Sequence, residues 1–221
     1  MKLSTPGRHA LTLGLAATLV GGLAIASALP SLDSPELAQG PFASMHMILK
    51  KTILRINIAT IDVRFDKPTQ GRFAELARNQ KYSDPLAQQL AQVAIGAPNA
   101  VVQMQFKHDV SLDRWMDVVR DNVKQAREAG LITAQLEQQV SQGLPQWFAP
   151  LRERGYEKGD RLLYAVSPEG LHTAVASLDG KVLIDRMDKE HGTKQVVLAS
   201  YFASGSEFRE PLIKSLLEGT H

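Results

Sequence analysis

The stretch Thr52–Asp66, TILRINIATIDVRFD, decides the fold expected for this chain. It is rich in β-branched residues and contains neither Gly nor Pro, which predicts a long β-strand. Arg55 lies on an odd position, whereas Asp62 and Arg64 lie on even positions, so the polar side changes near Ala59–Thr60. Such a change predicts a β-bulge or a strand shared between two environments. The strand is therefore either a well-paired structural strand or one wall of a ligand cleft.

The rest of the chain alternates between groups of helices and groups of strands. Turn signals at Ser167–Gly170 and Asp179–Gly180 connect three strands with period-two patterns. Because the helices are grouped and do not alternate with the strands, the order predicts an α+β fold with an antiparallel sheet and helices on one face. The predicted helices are Arg72–Asn79, Pro85–Ile95, one after Ser111, one after Thr133, Gln195–Tyr201 and Ser206–Glu218; the later strands are Ala100–Phe106, Arg161–Val166, Leu171–Leu178 and Lys181–Met187.

Prolines and capping residues set the expected helix boundaries. Pro68–Gly71 is predicted to interrupt the pattern before the first helix, and Pro145 to kink or restart the helix that begins after Thr133. Ser83 precedes Asp84 and Pro85, an arrangement typical of a helix start. Ser206 is expected to cap the last helix in the same way.

The N-terminal segment has the pattern of an export signal. Lys2 and Arg8 precede an uncharged apolar run that ends in the small residues Ala26-Ser27-Ala28. This pattern predicts a signal peptide over residues 1–28 and a periplasmic or otherwise exported protein. The alternative is an uncleaved membrane anchor over Ala10–Leu29, which is about the 20 residues that a spanning helix needs. The sequence has no Cys, so no disulfide can stabilise the exported protein.

The remaining chain is expected to form an N-terminal arm or linker over residues 29–44 and one domain over residues 45–221. Residues 1–28 hold two of the 25 basic residues and none of the 23 acidic ones, so the mature chain has a formal charge of zero. A nucleic-acid partner would require a basic surface, and none is therefore expected. The only predicted membrane contact is through the N-terminal segment, if that segment is not cleaved.

Familiar catalytic and metal-binding motifs do not occur in the sequence. Its histidines have no metal-ligand spacing, so neither a metal nor another cofactor is expected. Trp115 recurs with aliphatic residues at helical spacing, which is more typical of a core than of a cofactor site. Val197–Pro211 groups Ser200 and Tyr201 around a glycine-containing break between helices. That stretch is either a capped helix junction or part of a binding site.

Four stretches together resemble the chalcone isomerase-like family, in its bacterial, exported branch. They are INIATIDVRFD, SLDRWMDVVRDNV, DRLLYAVSPEGLHTAVASLDGKVL and VLASYFASGSEFREPLIKSLL, and the resemblance covers Met45–Leu217. It implies a chalcone isomerase-like open-faced β-sandwich, in which an elongated apolar cleft lies between an antiparallel sheet and a layer of helices. Members of that family include enzymes that close a chalcone ring, proteins that bind fatty acids and non-catalytic partners.

The catalytic pattern of the family is only partly present in this chain. By resemblance, the family's cleft Asn falls on Asn122, its Ser or Thr on Ser200, its Tyr on Trp115, its strand Thr on Ala59 with Thr60 beside it, its Arg near Met47, and its Lys at Phe106 or Lys107. Ring closure depends on positioning and stabilising an anion, which the missing Arg and Tyr would otherwise do. The resemblance therefore predicts no useful chalcone isomerase activity.

Three functions stay open at this point. The first is binding of a small amphipathic ligand such as a fatty acid, with Arg55 or Arg64 pairing its head group. The second is an isomerase of the intramolecular lyase type with an unknown substrate, using Asp62 or Tyr201 for proton transfer. The third is a structural or interaction protein whose charged pairs only stabilise the fold. The candidate cleft residues are Arg55, Thr60, Asp62, Arg64, Trp115, Asn122, Ser200 and Tyr201.

Overall fold

A six-stranded antiparallel sheet runs through the part of the chain that the structure describes, and its strand order follows the sequence. This computed structural model describes residues 29–51, 56–190 and 192–219. The predicted export signal over residues 1–28 and Arg55 lie outside these residues. Within the described ranges, no helix is both long and apolar enough to span a bilayer.

The strands and helices alternate in blocks, as an α+β fold requires. The strands are β1 (Ser44–Lys51), β2 (Ile56–Phe65), β3 (Ala100–Phe106), β4 (Arg161–Ser167), β5 (Gly170–Ala176) and β6 (Val182–Asp188). The helices are α1 (Lys67–Ala77), α2 (Asp84–Ile95), α3 (Leu112–Glu128), α4 (Ala134–Trp147), α5 (Thr193–Phe202) and α6 (Arg209–Glu218), with a short 3₁₀ turn at Ala149–Leu151.

Strand β2 divides its side chains between the two faces of the sheet. Ala59, Ile61, Val63 and Phe65 are completely buried in the core beneath the helices. The alternating residues Thr60, Asp62 and Arg64 are half-buried and point the other way. We call the sheet surface that carries them the open face.

The change of polar side in β2 corresponds to an irregularity in its pairing with β1. Leu49 pairs with Ala59, whereas the next residue, Lys50, pairs with Asn57. Ile58 is therefore an extra residue in β2, and the side chains before and after it fall on opposite parities. The bulge lies one residue before the position where the sequence pattern changes.

The helices form one layer on the face opposite the open face. α6 packs on β1, and α5 packs on β4 and β5. α3 contacts both α4 and α5, and α2 contacts α1, α5 and α6, so the layer is continuous. The hydrophobic core fills the space between this layer and the sheet.

The structure corrects two helix boundaries, at Pro68 and Ser206, and shows where Pro145 lies. Pro68 does not interrupt α1 but lies in its first turn, where the missing N–H group is not needed, and Asp66 caps the helix by accepting a 3.0 Å bond from the Thr69 N–H. Pro145 is inside α4, which continues to Trp147. α6 begins at Arg209, so Ser206 precedes its start instead of capping it.

Other boundaries agree closely with the sequence pattern. β3 spans Ala100–Phe106 as predicted, and α2 ends at Ile95 with Gly96 as its C-cap. Strand β1 is the element that the pattern did not predict. Its buried residues Met45 and Met47 are not β-branched, so its propensity for a strand is weak, although it pairs along β2.

The residues before β1 form an arm attached to the sheet. Leu37 and Ala38 are buried, and the Ala38 N–H donates a 2.8 Å hydrogen bond to the Phe65 carbonyl. Arg64 donates to the Leu32 carbonyl at 3.0 Å. The arm expected for residues 29–44 therefore runs along β2, and its last residue, Ser44, already belongs to β1.

Candidate functional site

An apolar cavity of about 410 Å³ lies between the sheet and helices α3, α4 and α5. This volume is within the range of about 300–1,000 Å³ that is typical of small-molecule sites. Aliphatic and aromatic side chains make up most of its lining: Leu49, Ile58, Met104, Phe106, Val110, Val118, Val119, Val123, Val140, Leu144, Phe148, Leu162, Leu171, Val196, Val197 and Phe208.

Helix α3 is amphipathic and contributes its apolar side to the cavity. Trp115, Val118, Val119 and Asn122 line the cavity and recur at three- and four-residue spacing, which places them on one side of the helix. The outer side of the helix carries charged residues instead, including an ion pair in which Asp117 accepts a 3.0 Å bond from an arginine one turn later. The sequence pattern of the helix thus determines which residues can reach a ligand.

Four of the predicted cleft residues line the cavity: Trp115, Asn122, Ser200 and Tyr201. The Trp115 ring lies 4.4 Å from the Phe148 ring and forms part of the apolar wall. The position where the family has a tyrosine is therefore in the cavity, but its side chain here offers a ring and an indole N–H, with no hydroxyl. Whether these four residues bind a ligand stays a prediction.

Asn122 and Ser200 use much of their hydrogen-bonding capacity within the protein. The Asn122 amide donates to the Val118 carbonyl at 2.9 Å, and its oxygen accepts from the Ser206 hydroxyl at 3.3 Å. The Ser200 hydroxyl donates to the Val197 carbonyl at 2.8 Å. The helix junction at Val197–Pro211 is therefore also part of the cavity wall, and its role in binding stays a prediction.

Tyr201 has its hydroxyl available. Its side chain is buried against the cavity, and its hydroxyl has no hydrogen-bond partner among the described residues. Burial raises the pKa of Tyr201 well above its usual range. The phenol therefore stays protonated at neutral pH, where it can donate a hydrogen bond but cannot act as a base.

The polar residues predicted on β2 do not line the cavity, and this is a correction. Thr60, Asp62 and Arg64 lie on the open face, because they alternate with the buried residues that face the helices. Asp62 accepts a 2.7 Å bond from His46 Nδ1. Arg64 binds the arm, including an ion pair at 3.5 Å with the exposed Asp33. Arg55 lies outside the described residues.

Several polar residues of the cavity were not predicted from the sequence, and three of them belong to neighbouring strands. Tyr164, Thr173 and Arg186 come from β4, β5 and β6, and all three line the cavity. Tyr164 pairs with Thr173, and Thr173 pairs with Arg186, so the three residues stand side by side across the sheet. Directly paired residues of neighbouring strands have Cβ atoms about 5 Å apart. We call Tyr164, Thr173 and Arg186 the polar row.

Arg186 is held by two neighbours. Its Nη2 donates to Asp188 at 2.8 Å, and its guanidinium carbon lies 4.2 Å from the centre of the Trp147 ring. The Trp147 ring in turn packs over Gly143, one helical turn earlier, where any added Cβ would overlap the ring. The orientation of the guanidinium is therefore fixed by an ion pair, a cation–π contact and a glycine.

The hydroxyls of the polar row have no hydrogen-bond partner among the described residues. Tyr164 and Thr173 both reach the cavity, and burial raises the pKa of Tyr164 well above its usual range. Its hydroxyl therefore stays protonated at neutral pH. Together with Tyr201, the row brings three uncommitted hydroxyls and one guanidinium to a mainly apolar cavity.

The other charged residues of the lining are exposed: Lys50, Arg114, Asp109 and Glu207. The Asp109 carboxylate accepts a 2.8 Å bond from the Lys158 N–H. Glu207 is exposed as a residue, but its carboxyl lies against the cavity, and this loss of water raises its pKa. In the described ranges, no group of His, Asp and Glu could hold a metal ion.

The positions matched to the family's strand Thr and Arg belong to the core. Ala59 is completely buried and Met47 is nearly so. Neither side chain carries a polar group, so these positions supply no hydroxyl or cation for stabilising an anion.

Comparison with known proteins supports the fold. No protein-family model matches this chain, and no curated protein matches it in sequence. Among solved structures, it is similar to a crystal structure of a fatty-acid binding protein from Arabidopsis thaliana, with a TM-score of 0.52 and 11% sequence identity over 86% of this chain and 93% of that chain. At this identity the similarity shows the fold alone, and the chain has the expected chalcone isomerase-like α+β fold.

Proposed function

We propose that the protein binds a small amphipathic molecule, such as a fatty acid, in the cavity between the sheet and the helices. The observation that carries this proposal is the cavity itself, with a volume of about 410 Å³ and a mainly aliphatic and aromatic lining. An apolar chain transferred from water into such a lining gains about 0.8 kcal/mol per buried CH₂ group. A ligand with a long apolar body therefore suits the site better than a sugar or a nucleotide.

Polar groups at a few places support a ligand with one polar end. Arg186 and the hydroxyls of Tyr164, Thr173 and Tyr201 reach the cavity. A few convergent polar groups in an otherwise apolar pocket are typical of sites that orient a ligand. The structural neighbour from Arabidopsis is a fatty-acid binding protein, which is consistent with this choice of ligand class.

The alternative of an isomerase has less support from the described cavity. Asp62, one of its two predicted proton-transfer groups, lies on the open face. Tyr201, the other, is buried and has a raised pKa, so at neutral pH it cannot accept a proton. The third possibility, a purely structural protein, gives no role to uncommitted hydroxyls in a cavity.

We also propose that the protein works in the periplasm or another exported location. The basic, apolar and small-residue regions of residues 1–28 support this location. An exported protein with such a cavity would carry or sequester a poorly soluble molecule outside the cytoplasm.

Native mass spectrometry and calorimetry test the proposed binding. The full chain, purified from cells without detergent, is expected to carry a co-purified lipid, and the delipidated protein should bind dodecanoate with a stoichiometry of one. Binding should have a negative heat-capacity change, because apolar surface is buried. The absence of both a co-purified lipid and heat of binding for fatty acids of any chain length would contradict the proposal.

A further inference from the structure

We infer that the polar row is a carboxylate subsite, so that an acidic ligand lies with its head group at Arg186 and its apolar tail between β2, β3 and α3. This inference rests on the proposed function, and it adds the chemical class of the head group and the direction of the ligand. It assigns the anchoring role to β4–β6 instead of to Arg64, which lies on the open face.

The hydrogen-bond donors of the polar row are arranged to suit a carboxylate. Arg186 has five N–H donors in a planar fork, and the only acceptor that they bond among the described residues is Asp188. The remaining donors suit the two oxygens of a carboxylate, which arginine binds better than lysine does. The neighbouring hydroxyls of Thr173 and Tyr164 add donors at the spacing of paired strands.

The guanidinium of Arg186 is held in place before a ligand binds. Asp188 is only 8% exposed and accepts a hydrogen bond from Nη2 of Arg186. The Trp147 ring covers one face of the guanidinium. A side chain held in this way loses little rotamer freedom when a ligand binds. Asp188 also balances the charge of Arg186, so the cation is not left unpaired beside apolar side chains.

The polar row lies at one side of the cavity. The strands that carry it follow β3 in the sheet, whereas the aliphatic residues Leu49 and Ile58 come from β1 and β2 at the other side. With neighbouring strands about 4.8 Å apart, β2 and β6 are separated by about 19 Å. A ligand anchored at Arg186 can therefore extend its tail across the sheet along apolar side chains.

Arg114 and Lys50 are the competing anchors. Both line the cavity and neither has an ion-pair partner among the described residues, but both are exposed. An exposed cation is solvated by water and contributes little to binding a carboxylate. The matched variants Arg186→Gln and Arg114→Gln therefore distinguish a head group at the polar row from one at α3.

The experiment compares dodecanoate with dodecanol, which has the same tail and no charge. In Arg186→Gln we expect about tenfold weaker binding of dodecanoate and little change for dodecanol, because only the charged head group loses its partner. Arg114→Gln should weaken dodecanoate binding much less than Arg186→Gln does, because its guanidinium is solvated. Thr173→Val, which keeps the shape of the side chain, should weaken dodecanoate binding by a smaller factor, about threefold, since it removes one neutral hydrogen bond.

The outcomes distinguish this inference from the proposed function. If the native chain binds both probes and Arg186→Gln remains folded but binds dodecanoate as tightly as the native chain, the carboxylate subsite is wrong and the binding function stands. A loss confined to Arg114→Gln would place the head group beside α3 and would likewise overturn the inference. If the native chain binds neither probe, both the function and the subsite fail.

Quenching by brominated acids tests the direction independently. In a Trp115→Phe variant the chain has one remaining tryptophan, Trp147, which lies against Arg186. Dodecanoate brominated next to the carboxylate should quench the fluorescence of Trp147 more strongly than dodecanoate brominated at the tail end. Stronger quenching by the tail-brominated acid would contradict the proposed direction even if Arg186→Gln did not fold.

Discussion

Polar residues occur on two parts of the sheet, in β2 and in β4–β6, and the two groups differ in what surrounds them. In β2, Asp62 binds His46 and Arg64 binds the N-terminal arm, so both have protein partners on the open face. In β4–β6, the polar row faces the cavity, and its two hydroxyls have no partner among the described residues. A charged residue in a strand thus indicates a binding site only when its parity directs it into a cavity.

The largest expected effect compares the two sides of β2. Ile61→Ala should lower the free energy of unfolding by about 3 kcal/mol, because the side chain is completely buried and its removal leaves a cavity. Asp62→Ala should change it by less than about 1 kcal/mol, since its pair with His46 is partly exposed. Urea unfolding of both variants measures the difference. Equal losses of unfolding free energy would show that the open-face residue Asp62 contributes as much to stability as the buried Ile61.

The next effect concerns the support of the polar row. Gly143→Ala should destabilise the protein by about 2 kcal/mol, because the added methyl group displaces the Trp147 ring. Gly71→Ala is the matched control. Gly71 is also a helix glycine, but the space around it is open, so alanine should stabilise α1 by up to about 1 kcal/mol.

The same pair of glycine variants connects stability to binding. Gly143→Ala should weaken dodecanoate binding, whereas Gly71→Ala should not. If Gly143→Ala is as stable as the native chain and binds as well, Trp147 does not position Arg186.

Alkaline pH tests the tyrosine side chains on the cavity side. Burial raises the pKa values of Tyr164 and Tyr201 above the unfolded value of about 10. The folded state therefore keeps these protons to higher pH than the unfolded state does. Their contribution to stability is complete below pH 10 and is lost as the pH rises above it, by at most about 1.4 kcal/mol per pH unit for each tyrosine.

Tyr201→Phe should remove the contribution of one tyrosine to this loss of stability above pH 10. Urea unfolding at pH 8 and at several values above pH 10 measures the slope for the native chain and the variant, and the pH 8 values control for any change in packing. An unchanged slope would mean that Tyr201 is not protected from water in the folded state.

The smallest expected effect concerns the open face. Arg64→Gln removes the bonds to the Leu32 carbonyl and to Asp33, so amide exchange of Ala38 should become faster, while overall stability falls by less than about 1 kcal/mol. Dodecanoate binding should not change. A clear loss of binding in this variant would return the head-group role to β2.

The sequence predicted the fold well because its strands and turns have strong local signals. β3 has the predicted bounds, and the parity change in β2 falls next to the bulge. Strand β1 was not predicted, because methionines carry little strand preference and its pairing along β2 is a tertiary interaction. Pro68 was placed outside α1, since a proline in the first turn of a helix has the same sequence appearance as a helix breaker.

The cavity residues were harder to predict, and the reason differs between helices and strands. Trp115 and Tyr201 on the helices reach the cavity as expected. The polar row could have been found from the two predicted turns. With Ser167 paired to Gly170 in the first hairpin and Asp179-Gly180 at the turn of the second, Thr173 lies between Tyr164 and Arg186. The ion pairs of Asp62 and Arg64 could not, because they depend on β1 and the arm.

Ligand binding inside the cavity is the central claim, and one calorimetric comparison tests it directly. Val119→Trp adds a large ring to the cavity wall, whereas Ile48→Trp adds the same ring on β1, where the native side chain is 42% exposed. With both variants folded, dodecanoate should bind to the native chain and to Ile48→Trp with similar affinity and should lose at least about tenfold in affinity for Val119→Trp. Equal binding by all three proteins would show that the ligand does not enter the cavity and would contradict the central claim.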